Sequence, residues 1–91
     1  MSILDQEEFV KLRLLKPKVD IKEVQVILDE VEAEAKRGNN VKSALIFAYA
    51  NHLDLVKKNR DLFNLIGSIL EKYTPKLGVE NVIELILNSL S

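Results

Sequence analysis

The chain has 91 residues, 47% of them hydrophobic and 30% charged, with a net charge of −1 and no cysteine. That leaves room for one small domain, excludes disulfide frameworks and thiolate metal sites, and argues against a dedicated nucleic-acid binder, which is usually basic. "MSILDQEEF" carries acids where a signal peptide carries bases, and no apolar run approaches the ~20 residues that cross a bilayer, so the expectation is a soluble, cytoplasmic protein without membrane insertion.

Breaks at "KPK" (16–18), "RGNN" (37–40), "KKNRD" (57–61) and "TPKLG" (74–78) divide the chain into five segments. The first is the least regular. Ser2 and Asp5 have the spacing of a capping box and predict a helix from about Ile3. In "FVKLRLLKPKV" (9–19), however, apolar and basic side chains alternate, so a strand would put Val10, Leu12 and Leu14 on one face. Helix is preferred, because every other segment is helical and a lone strand has no ladder to join. On a helix, Leu4, Phe9, Leu12 and Leu15 spread over one side, while Ile3, Val10 and Leu14 point elsewhere.

Segment two opens with Asp20 and Glu23, a second capping box. Ile21, Val24, Ile27, Leu28, Val31 and Ala35 form one stripe, and Gly38 supplies the stop. Its opposite face, with Glu23, Glu30, Glu34 and Arg37, reads as a solvated acidic back, and Glu32 stands four residues before Lys36 in the favourable order. Segment three begins after Asn40, a good N-cap, and contains "ALIFAYA" (44–50). Apolar on nearly all faces, it predicts the central helix of a bundle or a feed to an oligomer interface.

Segment four, Asp61 to Tyr73, has a stripe of Leu62, Leu65, Ile66, Ile69, Leu70 and Tyr73, with Phe63 at its edge and Gly67 outside it. Segment five places Val79, Val82, Ile83, Ile86 and Leu90 on one stripe, with Leu87 at its margin and Leu85 well off it. The fold expected over residues 1–91 is therefore a compact all-α bundle of four main helices plus an N-terminal helix, with Leu45, Ile66, Ile69 and Ile83 in the core.

Chemistry is sparse. His52, the single histidine, falls among Val41, Leu45, Ala48 and Val56 on the wheel and is the candidate for a perturbed titratable group. The plainer reading is a neutral histidine bonded to a backbone carbonyl. No further His or Cys is present to complete a metal site around it, the serines have no evident base, and the three glycines are isolated. No enzyme activity, cofactor, metal or small-molecule substrate is expected.

What remains is contact. The apolar helix faces exceed what one small core needs, so the expected function is that of a non-catalytic accessory or adaptor protein acting on a protein partner or as a homodimer. Phe9, Leu12, Leu85 and Leu87 are the candidate partner-binding residues. The alternative is a nucleic-acid-associated factor using Lys11, Arg13, Lys16 and Lys18 in the segment 11–22 together with Lys57, Lys58 and Arg60, provided the two clusters share a face. "QEEFVKLRLL" loosely resembles the sliding-clamp-binding box through Gln6 and Phe9, with Leu12 and Arg13 where that box has two aromatics. Size and helix count are also similar to those of small immunity proteins that protect bacteria against their own bacteriocins.

Overall fold

In the computed structural model, the described residues are 6–15 and 19–91. They form six helices and no strand: α1 (Gln6–Leu15), α2 (Ile21–Lys36), α3 (Val41–Asn51), α4 (Leu53–Lys58), α5 (Arg60–Leu77) and α6 (Val79–Leu90). The all-α expectation holds, with one short helix more than the sequence reading gave. The capping box at Ser2 and Asp5 lies outside the described residues.

Residues 6–15 settle the ambiguity of the first segment. Leu12 is 0% exposed, whereas Val10 is 50% and Leu14 72% exposed. Two residues apart on a helix means about 160° apart, so burying Leu12 turns both neighbours outward. Glu7 and Glu8 at the start of α1 and Arg13 near its end complement the helix dipole. Glu8 also ties α1 to α5, accepting hydrogen bonds from Lys72 Nζ (3.0 Å) and Tyr73 Oη (3.2 Å).

The two sequence-predicted N-caps that fall within the described residues are present. The Asp20 carboxylate accepts from the Lys22 amide (2.9 Å), and the Asn40 side chain accepts from the Ser43 amide (2.7 Å). The α2 stripe buries Val24, Ile27, Leu28 and Val31. Glu34, read as solvated, is instead buried. Its carboxylate accepts from Arg37 Nη1 (2.8 Å) and Asn39 Nδ2 (2.9 Å), because the turn after α2 folds back over it. A buried carboxylate with two donors keeps its charge compensated.

The centre of the bundle is α5, not α3. Leu62, Phe63, Ile66, Ile69, Leu70 and Tyr73 are all buried, and α5 packs against α1, α3, α4 and α6. In α3 only Ala44, Leu45 and Ala48 are buried, while Ile46 is 64% and Phe47 47% exposed. An all-round apolar composition therefore marks a helix with an open outer face. Leu45, Ile66, Ile69 and Ile83 lie in the core as expected.

Helix α3 ends at Asn51, and the chain bends at His52 (φ −130°, ψ 41°) and again at Asn59 (φ −125°, ψ 44°). This double bend makes α4 a separate helix and turns α5 back along α3. Helix α5 runs through Pro75, where a break was expected. The proline sits in the last turn, so only one backbone hydrogen bond is lost, close to the helix end. The stop comes at Gly78, whose φ of +87° is accessible to glycine and strained for other residues. Its amide caps the Thr74 carbonyl at 2.9 Å.

Candidate functional site

Helices α2 and α6 pack against each other, and acidic side chains line the seam between them. Asp29, Glu32 and Lys36 stand on the α2 side. Glu80, Glu84 and Asn88, spaced by four, stand on the α6 side, with Ile83 and Leu87 between them. Four carboxylates and one carboxamide thus line an open groove.

One cation already bridges its walls. Lys36 Nζ lies 3.1 Å from Glu32 Oε2 on its own helix and also bonds Glu80 Oε1 on α6. The hydrogen bond that Lys36 donates to Glu80, followed by that to Glu32, holds the Lys36 pKa above its ordinary value. Asp29 and Glu84 have no ion-pair partner among the described residues.

The donor set is all oxygen, which suits a hard divalent cation, but it is not a closed cage. Calcium takes six to eight oxygens at about 2.3–2.6 Å. Among the described residues, no three Asp, Glu, His or Cys side chains converge closely enough to hold one ion by themselves. An ion here would keep much of its water, and Lys36 would compete with it for Glu32 and Glu80.

His52 is not on an apolar helix face. At the α3–α4 bend it is about one quarter exposed, and its Nε2 hydrogen-bonds the Glu30 carboxylate rather than a backbone carbonyl. Asn51 Nδ2 donates to the other Glu30 oxygen at 3.0 Å. These two bonds, first that of His52 and then that of Asn51, lower the Glu30 pKa from its ordinary 4.5. A depressed carboxylate contributes stability above its unfolded pKa, and this is lost as pH falls through the lower folded value. Glu30→Gln is therefore expected to flatten the acid limb of a stability–pH curve below about pH 4.5, measured by urea unfolding at successive pH values. An unchanged limb would show that the pair contributes nothing there.

The expected partner-binding residues differ in exposure. Leu12 is fully buried in the core and has no area left for a partner, a correction to the sequence reading. Phe9 is half-buried, with its ring 6.4 Å from that of Tyr73. Leu85 is half-buried, and Leu87 packs against the core while lining the acidic groove.

Of the basic residues, Lys11 lies 3.9 Å from Glu7 and Arg13 is exposed, while Lys16 and Lys18 lie outside the described residues. Lys57, Lys58 and Arg60 surround a cleft that reaches Leu15 at the end of α1, with Asp61 among them. The second basic cluster therefore adjoins the end of α1. No helix among the described residues is long and apolar enough to span a membrane.

The groove was missed as a site in the sequence, although its parts were visible. Glu32 and Lys36 have the spacing of a pair, and Glu80, Glu84 and Asn88 mark one face of α6. What the sequence does not state is that α6 lies against α2.

Comparison with known proteins gives a consistent assignment. Residues 1–90 match the family described as "Calcium binding protein SSO6904". A solved relative, the solution structure of the archaeal protein SSO6904 from hyperthermophilic Sulfolobus solfataricus, is 44% identical and superposes with a TM-score of 0.90. The match covers 100% of this chain and 92% of that one. No match was found among curated proteins. With nearly its whole length matched by the family and by a relative of the same fold, the chain belongs to the SSO6904 calcium-binding protein family.

Proposed function

We propose that the protein is a non-catalytic calcium-binding protein and that the groove between α2 and α6 is where it takes the ion. The family description supports the ligand. The observation that supports the place is the Lys36 ammonium bridging carboxylates of two helices, Glu32 and Glu80, beside Asp29, Glu84 and Asn88. A position that favours one cation between two walls of oxygen is suited to another of higher charge. Carboxylates from both helices would hold the ion, with the Asn88 carboxamide as a neutral oxygen donor and water for the rest. Because the site is open and Lys36 competes, affinity is expected at the weak end of the calcium range, a Kd of roughly 10⁻⁴–10⁻³ M.

Titration of the labelled protein with calcium chloride, followed by amide NMR shifts, tests this reading. Saturable shifts are expected at residues 29–36 and 80–88, and weaker ones with magnesium, which sheds its water reluctantly. The double variant Glu80→Gln, Glu84→Gln should lose most of the response, and Lys36→Met should bind more tightly. Saturation centred elsewhere would preserve calcium binding but overturn the site. No saturable response at about 10 mM, ten times the weakest Kd expected, would overturn both.

A further inference from the structure

Among the described residues, the outer face of α3 is left uncovered. Lys42, Ile46 and Ala50 follow one another along it and, with Leu53 at the start of α4, form one rim of an apolar groove whose other rim is α5, with Asn64, Gly67 and Glu71. Ile46 and Leu53 are 64% and 48% exposed. The two helices run antiparallel. Tyr49 Oη donates to the Phe63 carbonyl at 2.8 Å, and Leu45 lies beside Gly67. Lys42 and Glu71 therefore stand at one end, Ile46 and Gly67 at the middle, and Ala50 and Asn64 further along.

Gly67 is not explained by crowding within the chain. A Cβ there would meet Leu45 Cδ1 at 3.7 Å and Tyr49 Oη at 3.8 Å, both ordinary contacts. A glycine inside a helix weakens it relative to alanine. Its lack of a side chain leaves a notch opening onto the groove, at the height of the exposed Ile46.

We propose that this face is the contact between two copies of the chain, related by a two-fold axis running along the groove. That axis sets α3 of each copy on α5 of the other at equal heights. Ile46 then enters the notch at Gly67 of the second copy, and Lys42 meets Glu71 at both ends of the rotation. Neither Lys42 nor Glu71 has an ion pair among the described residues, so both charges are available. The other face-to-face arrangement, with the axis across the groove, would set Lys42 against the apolar Leu53 and leave the charges unmatched. A contact confined to one groove between two helices makes the dimer a weak one, with association in the high micromolar range. This inference is independent of calcium.

Sedimentation equilibrium of the full chain, from about 10 μM to 1 mM, a range that brackets weak association, tests it. A reversible monomer–dimer equilibrium is expected. Lys42→Glu or Glu71→Lys alone should weaken dimerisation by roughly tenfold, since two attractions become two repulsions. The double exchange Lys42→Glu, Glu71→Lys should restore it. Gly67→Ala, which the monomer accommodates, should raise the unfolding midpoint while weakening association. A wild type that stays monomeric throughout, single charge reversals without effect, or a double exchange that fails to rescue would each overturn the proposal.

Discussion

Phe63→Ala is expected to destabilise the protein by about 3–5 kcal/mol. Phe63 is 0% exposed and sits where α3 meets the central helix. Its ring makes an edge contact with Tyr49 at 5.4 Å between centroids, and its carbonyl accepts the Tyr49 hydroxyl. Burial raises the Tyr49 pKa well above its ordinary value, in keeping with a phenol held away from water. Truncating Phe63 removes the ring, opens a cavity beside Tyr49 and loosens α3 from α5. A domain this small has about one such loss to spare, because total stabilities are about 5–15 kcal/mol. Urea unfolding of wild type and variant decides the matter. A loss below about 1 kcal/mol, far under the range for a buried Phe, would mean that α5 is not the centre of the fold.

Phe63 also shows where sequence reading reached its limit. The stripe on α5 was legible because Leu62, Leu65, Ile66, Ile69, Leu70 and Tyr73 recur at helical spacing. Phe63 fell at its edge because a stripe describes one contact, and α5 has neighbours on several sides. The caps at Asp20 and Asn40 were legible for the opposite reason: they act within three residues, and nothing distant alters them. Glu34 was misread because its donors, Arg37 and Asn39, come from a turn whose path is tertiary.

The same distinction holds for the candidate site. Each wall of the acidic groove is a local pattern, Asp29 and Glu32 on one helix and Glu80, Glu84 and Asn88 on another. The site is the meeting of the two walls, which depends on α6 returning to α2. The bridge through Lys36 is a consequence of that return. Helix α3 was misjudged because composition reports what a helix could bury and not how many neighbours arrive to cover it. The helix of "ALIFAYA" is met by α2, α5 and the short α4, and its outer side stayed open.

The alternating run in α1 provides the second large effect. Leu12→Ala is expected to cost about 2–5 kcal/mol, and Leu14→Ala less than about 0.5 kcal/mol. The two leucines are neighbours in pattern and opposites in environment, one fully buried and the other 72% exposed. A ten-residue helix does not hold itself in water and depends on docking. The docking of α1 rests on Leu12 in the core, Phe9 on Tyr73, and Glu8 on Lys72 and Tyr73. Removing the Leu12 side chain takes away the largest of these, so amides of α1 should also lose hydrogen-exchange protection before those of α5. Had residues 10–14 been a strand, Val10, Leu12 and Leu14 would share one face, and both alanine variants would cost alike. Measuring the pair by urea unfolding separates the cases, since comparable losses at both positions contradict the helix and a large loss at Leu12 alone requires it.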